Sequence, residues 1–301
     1  MSIGRILLTG KNGQVGWELQ RTLATLGEVI AMDRHSMDLA NPDSIRRTIR
    51  EIKPALIVNA AAYTAVDKAE TEPEFSMAVN GTAPGVMAEE AKRLNAGIVH
   101  YSTDYVFDGK KDGPYVEDDL PNPLNVYGKT KLVGEHAIQA VDVPHLIFRT
   151  SWVYSARGKN FLLTTLRLAK ERDELRIVDD QIGAPTWSRM IAEATAQILA
   201  QLYSPITHHR SSFTQVSGIY HLSAAGQTSW FGVANTALEY ARCDQGGGVA
   251  RLIPILARDY VAPAERPKNS LMSNRKLNAS FNITMPFWAA SLERCLSEMV
   301  L

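Results

Sequence analysis

Two side chains in the middle of the sequence could act together on a carbonyl group. Tyr127 and Lys131 are four residues apart, so a helix places them on one face. An ordinary tyrosine has a pKa of about 10, which makes it a poor acid–base group at neutral pH. An ammonium group one helical turn away should stabilise the phenolate and lower that pKa. We therefore predict that Tyr127 protonates a carbonyl oxygen as a hydride reaches the carbon, and that Lys131 also holds the ribose of the hydride donor.

A tyrosine and a lysine at this spacing are common on helix surfaces, so other residues must support the prediction. Thr103 and Asp104 come directly after a predicted central strand. Ligands of open α/β sheets bind beside such strand ends. The Thr103 hydroxyl could donate a hydrogen bond to the same carbonyl oxygen. The alternative is a strand-end residue without a catalytic role.

Three glycines near the start of the chain could bind a pyrophosphate. Gly10, Gly13 and Gly16 lie between the first predicted strand and the first predicted helix. Glycines let backbone N–H groups approach an anion at the positive end of a helix, and the third lets helix and strand pack closely. A tight turn without a ligand is the alternative. The acid Asp33 at the end of the second strand completes the pattern of a dinucleotide site.

The residues after the second strand bear on the choice of cofactor. We expect Asp33 to accept a hydrogen bond from the adenosine ribose, which favours NADH because a carboxylate repels a 2′-phosphate. Arg34 could offset that repulsion, so NADPH and NADH both remain open. Asp38 could reach the adenine, or it could cap a helix or a turn.

Strands and helices must alternate along the chain to bring these residues together. Continuous runs of Val, Ile and Leu between helical patterns indicate a parallel sheet covered on both faces. The predicted strands are 5–9, 28–33, 55–59, 97–102, 145–149 and 218–222. The predicted helices are 15–26, 44–52, 74–95, 125–140, 162–170 and 188–202. This order predicts an α/β fold with a doubly wound parallel sheet of the Rossmann type.

The two halves of the chain differ in regularity, which suggests two domains. We expect residues 1–150 to form a cofactor-binding Rossmann domain. Residues 151–301 should form a smaller, mainly substrate-binding domain, with 185–203 packing back on the first. The polar segment 204–217 reads as a surface insertion, and the glycines 246–248 as a turn.

Composition excludes several classes of protein. The 301 residues include 32 Lys and Arg and 32 Asp and Glu, so the formal net charge is zero, and a surface for nucleic acid or anionic membrane is not expected. No apolar run approaches the roughly 18 residues of a spanning helix, and the N-terminus reads as a strand rather than a signal peptide. The two cysteines cannot build a disulfide framework or a zinc site. A cytoplasmic enzyme or binding protein without a metal remains.

Several blocks of the chain resemble a known family. The glycine-rich turn, Thr103 and the Tyr127–Lys131 pair are similar to those of the extended short-chain dehydrogenase/reductases. Longer blocks resemble the dTDP-4-dehydrorhamnose reductases of that family: VNAAAYTAVD at 58–67, YSTDYVFDG at 101–109, PLNVYGKTK at 123–131, FRTSWVY at 148–154 and DQIGAPT at 180–186. The likeness runs from residue 4 to the C-terminus.

The resemblance implies an activity and roles for individual residues. The activity is NAD(P)H-dependent reduction of the C4 ketone of dTDP-4-dehydro-L-rhamnose, a step towards surface polysaccharide. The implied cofactor contacts are Gly13, Gln14 and Val15 at the pyrophosphate, Asp38 and Leu39 by the adenine, Ala62, Tyr63 and Thr64 along the channel, and Tyr101. The implied substrate contacts are Thr103, Asp104, Trp152, Arg266, Asn269 and Ser270. Trp152 could instead be a core aromatic residue.

Other readings stay open at this stage. An epimerase or dehydratase of nucleotide sugars, or a non-catalytic regulatory member, would share the fold. The resemblance also allows a homodimer, which some members of the family bridge with magnesium through glutamates. Glu18 and Glu298 match two of these positions, but Arg189 replaces an expected acid. A cation there repels a metal ion, so we expect no magnesium bridge and a direct pairing of Arg189 with a carboxylate.

Overall fold

A six-stranded parallel sheet forms the centre of the computed structural model, which describes residues 2–203, 213–245 and 250–299. The strands of these residues are β1 (Arg5–Thr9), β2 (Glu28–Met32), β3 (Leu56–Asn59), β4 (Gly97–Thr103), β5 (His145–Thr150), β6 (Val153–Tyr154), β7 (Glu174–Val178), β8 (Ile182–Gly183), β9 (Thr186–Trp187), β10 (Gly218–His221), β11 (Thr228–Ser229) and β12 (Arg251–Ile255). The order in the large sheet is β10-β5-β4-β3-β1-β2. The α/β fold with a parallel sheet is therefore confirmed.

The helices occupy the connections between these strands. They are α1 (Gln14–Leu23), α2 (Pro42–Ile52), α3 (Val66–Ala69), α4 (Pro73–Met77), α5 (Ala83–Arg93), α6 (Val126–Ala140), α7 (Phe161–Glu171), α8 (Ser188–Tyr203), α9 (Trp230–Gln245), α10 (Arg275–Phe281) and α11 (Trp288–Ser297). All six predicted helices are present. The predicted helix 74–95 consists of α4, a π-helical turn at Ala78–Thr82, and α5.

Alternating side chains of the strands supply a core on each face of the sheet. Ile6 and Leu8 of β1 pack on one side, with α1 and α8. Leu7, between them, packs on the other side, with α2 and α5. Strands that are buried on both faces in this way read as continuous apolar runs, which is why the sequence reveals them.

The second half of the chain contributes to the sheet and also forms a core of its own. β10 pairs with β5, and Ile219 lies opposite Ile147. The sequence predicts β10 as a strand but does not place it in the large sheet. A separate cluster joins α7, α9 and α11, and the parallel pair β7 and β12 lies beside it.

Parts of two sequence predictions fall outside the described residues. The proposed insertion 204–217 is described only from 213 onwards, and the proposed turn at 246–248 is not described. Among the residues that are described, no helix has the length and apolar character to cross a membrane.

A buried ion pair fixes α6 on the sheet. Arg149 of β5 donates from Nε to Glu135 Oε1 at 3.0 Å and from Nη2 to Oε2 at 2.6 Å, and both side chains are at most 2% exposed. Glu135 lies one turn after Lys131 on α6. The pair therefore holds the helix that carries the predicted catalytic residues.

Breaking this pair should cost far more stability than breaking a surface pair. Arg149→Met leaves the Glu135 carboxylate buried without its partner, so we expect the free energy of unfolding to fall by about 3–5 kcal/mol. The control is Arg167→Met, because the Arg167–Glu171 pair is 60% and 50% exposed and should contribute only about 0.3–0.5 kcal/mol. Urea denaturation measures both variants. Similar losses in the two variants would contradict this reading of the pair.

Candidate active site

A large concave site lies where the parallel strands end. It is a cavity of about 1050 Å³. Thr9, Met32, Ser102 and Thr150 line it at the carboxyl ends of β1, β2, β4 and β5, and Ala60 follows β3. Open parallel sheets bind ligands at this edge.

Most of the predicted cofactor residues line this one cavity. They are Gly10, Gly13, Gln14, Val15, Asp33, Asp38, Leu39, Ala62, Tyr63, Thr64, Tyr101, Tyr127 and Lys131. Gly16 is not part of the lining. A Cβ atom on Gly16 would lie 2.1 Å from the Gly10 carbonyl oxygen, so this glycine permits the close packing of α1 on the turn.

The glycine turn offers an anion the free end of a helix. Gly10 has a φ of +73°, a conformation that favours glycine, and Gly13 is the N-cap residue of α1. No side chain caps α1, so its first N–H groups face the cavity without a side-chain acceptor. The arrangement fits a pyrophosphate, because anions bind at the positive end of a helix.

Gln14 anchors the loop 155–160, which no sequence pattern predicts to be part of the site. Its Oε1 accepts hydrogen bonds from Ser155 Oγ at 2.9 Å and from Asn160 Nδ2 at 3.0 Å. Between these anchors, Arg157 and Lys159 line the cavity and bring positive charge to it. The Arg157 guanidinium lies 3.3 Å from the centre of the Trp17 ring, over its face. No motif marks this loop, since its partners are about 140 residues away in the sequence.

Asp33 lines the cavity and is also bound by protein groups, and its contact with a ribose stays a prediction. Its Oδ1 accepts hydrogen bonds from the backbone of His35 and Ser36, and Lys11 Nζ lies 3.1 Å from Oδ2. The hydrogen bond to Lys11 is the largest cause of a pKa far below the ordinary value for this carboxyl. The charge that was expected to repel a 2′-phosphate is therefore paired with Lys11.

Asp38 forms a turn and also lines the cavity. Its Oδ1 accepts a hydrogen bond from Ala40 N at 3.0 Å. The N-cap of α2 is instead Asn41, whose side chain accepts from Asp43 N and Ser44 N. The turn-capping alternative is therefore present in the structure, and contact with adenine stays a prediction.

Lys131 points down into the sheet, and the net shift of the Tyr127 pKa is opposite to the one expected from the sequence. Lys131 Nζ donates to the Tyr101 carbonyl oxygen at 2.5 Å and lies 3.1 Å from His100 Nε2. Burial lowers the pKa of Lys131 to about 8. Desolvation raises the pKa of Tyr127 to about 12, and a hydrogen bond with Thr103 opposes this only in part. Tyr127 is therefore protonated at neutral pH, which is the state that a proton donor needs.

Thr103 and Asp104 form a buried pair beside Tyr127. Thr103 Oγ1 donates to Asp104 Oδ1 at 2.9 Å and accepts from Tyr105 N at 3.2 Å. Burial raises the pKa of Asp104 to about 6, and the Thr103 hydrogen bond opposes the rise. The ring of Tyr105 packs edge-on against Tyr127 at 5.5 Å between centroids. These contacts place two polar groups and the Tyr127 phenol at the end of β4.

Trp152 is held in a special backbone conformation. Its φ is +47°, which is rare for a bulky residue. Its indole stacks on Trp230 with 3.7 Å between ring centroids and 8° between planes. A Cβ atom on Gly183 would lie 2.4 Å from the same indole. Protein contacts thus fix the ring, and its contact with a sugar stays a prediction.

The remaining predicted substrate residues form hydrogen bonds with other parts of the chain. Arg266 Nη2 donates to Asp67 Oδ2 at 2.8 Å. Asn269 Nδ2 donates to the carbonyl oxygens of Lys111 and Gly113, each at 2.7 Å. The Asn269 amide therefore joins two loops, and Arg266 has a carboxylate partner, but neither residue lines the cavity.

Arg189 pairs with both glutamates that the sequence singled out. Its Nε lies 3.4 Å from Glu18 Oε2, and its Nη1 donates to the Glu298 carboxylate. Three acidic, His or Cys side chains that could hold a metal do not occur together within 2–203, 213–245 and 250–299.

Comparison with known proteins gives consistent similarities. The family described as "RmlD substrate binding domain" matches residues 4–301. A protein of Burkholderia thailandensis named dTDP-4-dehydrorhamnose reductase is 48% identical, and the match covers 98% of this chain and 99% of that protein. One of the same name from Escherichia coli is 47% identical, with 98% and 97% covered.

The similarity extends to the three-dimensional structure of a solved protein. It is the dTDP-4-dehydrorhamnose reductase of Bacillus anthracis in complex with NADP, with a TM-score of 0.89 and 33% sequence identity. The match covers 99% of this chain and all of that one.

The Lys11–Asp33 pair should affect the choice between NADPH and NADH. In Lys11→Met the Asp33 charge is unpaired and repels a 2′-phosphate, with an energy of about 1 kcal/mol for two solvated charges about 4 Å apart. We expect the KM for NADPH to rise about fivefold relative to that for NADH.

Steady-state kinetics with both cofactors measures this ratio. Lys170→Met is the control, because Lys170 is exposed on α7 and does not line the cavity. A ratio that stays at the wild-type value in Lys11→Met would contradict the role of the pair.

Proposed function

Because this chain belongs to the dTDP-4-dehydrorhamnose reductase family, we propose that it reduces the C4 ketone of dTDP-4-dehydro-L-rhamnose to dTDP-L-rhamnose. The reductant is NADPH or NADH, and the product serves surface polysaccharide synthesis. The observation that carries the proposal is the single cavity that joins the glycine turn to Tyr127 and Lys131.

The cavity residues fit a nicotinamide dinucleotide. The uncapped N-terminus of α1, with Arg157 and Lys159 beside it, suits the pyrophosphate. Leu39 and Asp38 suit the adenine, and Ala62, Tyr63 and Thr64 line the channel between the two ends. When bound, the reduced nicotinamide supplies the hydride.

The protein's own part in the reaction is to deliver a proton and hold the sugar. Tyr127 enters the reaction protonated and donates its hydroxyl proton to the C4 oxygen. The buried Lys131 stabilises the phenolate that remains. Thr103 orients the carbonyl oxygen beside Tyr127 when its hydroxyl hydrogen turns from Asp104 to the substrate.

We assign the two ends of the substrate to different parts of the chain. Thr103, Asp104 and Trp152 contact the sugar in this proposal, and Arg266 and Asn269 belong to the segment at the nucleotide end. Residues 1–150 mainly bind the cofactor, and residues 151–301 mainly bind the substrate. The support is the resemblance of the motifs and the position of Thr103 and Asp104 at the end of β4.

One assay separates a reductase from the other enzymes of this fold. Purified protein with the dTDP-4-keto sugar should consume one reduced cofactor for each sugar, followed by absorbance. An epimerase or dehydratase recycles its cofactor and gives no net loss, and a non-catalytic member gives no turnover. Either result would overturn the proposed function.

The proton donor can be tested by removing one oxygen atom. Tyr127→Phe should lower kcat by about 10²–10⁴, because general acid catalysis contributes that much. Tyr240→Phe is the matched control, since Tyr240 packs with the separate cluster of α7, α9 and α11. A Tyr127→Phe variant with wild-type turnover would remove Tyr127 from the mechanism.

We also propose a homodimer that works in the cytoplasm without bridging magnesium. Arg189 already forms ion pairs with Glu18 and Glu298. A metal ion at that position would therefore be repelled by the Arg189 cation. Sedimentation velocity should give the same dimer with and without EDTA. Dissociation on addition of EDTA, or a monomer in both conditions, would contradict the proposal.

A further inference from the structure

A buried chain of polar side chains runs beneath the cavity to Lys131. Thr9 Oγ1 donates to Asn59 Oδ1 at 2.6 Å, Asn59 Nδ2 lies 3.0 Å from His100 Nδ1, and His100 Nε2 lies 3.1 Å from Lys131 Nζ. All four side chains are at most 2% exposed. Water therefore cannot substitute for a missing partner, and the donors and acceptors must match along the chain.

The backbone determines which way the Asn59 amide points. Ala61 N donates to Asn59 Oδ1 at 3.3 Å, and the Thr9 hydroxyl donates to the same oxygen. A rotated amide would place its NH₂ group against the Ala61 N–H, donor against donor. The amide nitrogen must then face His100 Nδ1, which has to accept. A neutral imidazole has only one N–H, so that hydrogen is on Nε2.

This tautomer makes His100 a hydrogen-bond donor towards Lys131. A neutral amine has a lone pair and can accept from His100 Nε2–H while it donates to the Tyr101 carbonyl oxygen. An ammonium group has donors only. A charged Lys131 therefore places its own N–H groups against the His100 N–H at 3.1 Å. A neutral Lys131 has a partner on both sides, since it accepts from His100 and donates to Tyr101.

From this juxtaposition we propose that His100 is a positioning residue that favours the neutral amine of Lys131 over its ammonium form. The proposal rests on the proposed reductase function. Tyr127 passes its proton to the substrate oxygen and becomes a phenolate. The ammonium form of Lys131 stabilises this phenolate, and the His100 N–H lowers the pH at which that form is lost.

The other charged and titratable groups near Lys131 agree with this role. Glu135, one turn along α6, raises the pKa of Lys131, but its carboxylate is bound to Arg149 of β5. Tyr127 on the same helix, and Asp104 after β4, lie on the substrate side. Burial and the Lys131 charge hold the pKa of His100 well below its ordinary value, so the imidazole is neutral.

The tautomer of His100 can be read without cofactor or substrate. In ¹⁵N-histidine NMR, the two ring nitrogens have different shifts according to which one carries the hydrogen. We expect the Nε2–H pattern for His100 in the wild-type protein, assigned among the seven histidines by its loss in His100→Gln. A hydrogen on Nδ1, or on both nitrogens, would overturn the proposal. Since no turnover is needed, this result stands apart from the proposed function.

A second variant tests the effect on the lysine. Asn at position 100 keeps an acceptor for Asn59 and removes the N–H that faces Lys131, so the pKa of Lys131 should rise. Activity that needs the ammonium is lost above this pKa, and the alkaline limb of kcat/KM should move up by about one pH unit in His100→Asn.

The matched control is His145→Asn, at the start of β5, where the ring Nδ1 contacts the Val143 carbonyl oxygen. Its pH profile should match that of the wild type. A lower kcat in His100→Asn with an unmoved alkaline limb indicates a merely structural role and would overturn the proposal. Stoichiometric cofactor loss in the wild type, measured in parallel, reports on the proposed function alone.

Discussion

The burial of one ammonium group under the catalytic edge of the sheet organises the rest of the site. Lys131 reaches from α6 into the sheet and donates to the Tyr101 carbonyl oxygen. This contact places α6 against β4, and the Arg149–Glu135 pair fixes the next turn of the helix on β5. Tyr127, one turn towards the start of α6, is thereby set at the cavity beside the end of β4. A buried cation costs free energy, which shifts Lys131 towards its neutral amine.

The same burial moves the pKa values of the two predicted catalytic side chains in opposite directions. Loss of solvent disfavours the charged form of each group, so the pKa of Tyr127 rises to about 12 and that of Lys131 falls to about 8. Tyr127 then carries the proton at neutral pH, as a reduction requires. Of these two side chains, Lys131 is the one whose charge changes closer to neutral pH. Spacing on a helix predicts that the two residues are neighbours, but it does not predict that Lys131 points towards His100.

Much of the fold and some of the site follow from local sequence. The apolar runs of β1, β3 and β4 are buried on both faces and predict a parallel sheet, and the glycine turn predicts where an anion binds. Local sequence does not predict three other features. They are the Lys11–Asp33 pair, the Trp17–Arg157 contact and the place of β10 in the sheet. Each joins segments that lie apart in the chain, and no periodicity marks the partner. Local pattern therefore locates the chemistry, whereas tertiary packing decides the charge state of its groups.

The protonation of Tyr127 can be measured directly in the cofactor-free protein. The ¹³C shift of the tyrosine Cζ atom changes when a phenol becomes a phenolate, and the Tyr127 signal is identified by its loss in Tyr127→Phe. With a pKa raised to about 12, the signal should keep its phenol position from pH 6 to about pH 10. A phenolate shift that develops between pH 6 and 8 would show that the Tyr127 pKa is lowered rather than raised, and it would contradict the conclusion that burial keeps Tyr127 protonated.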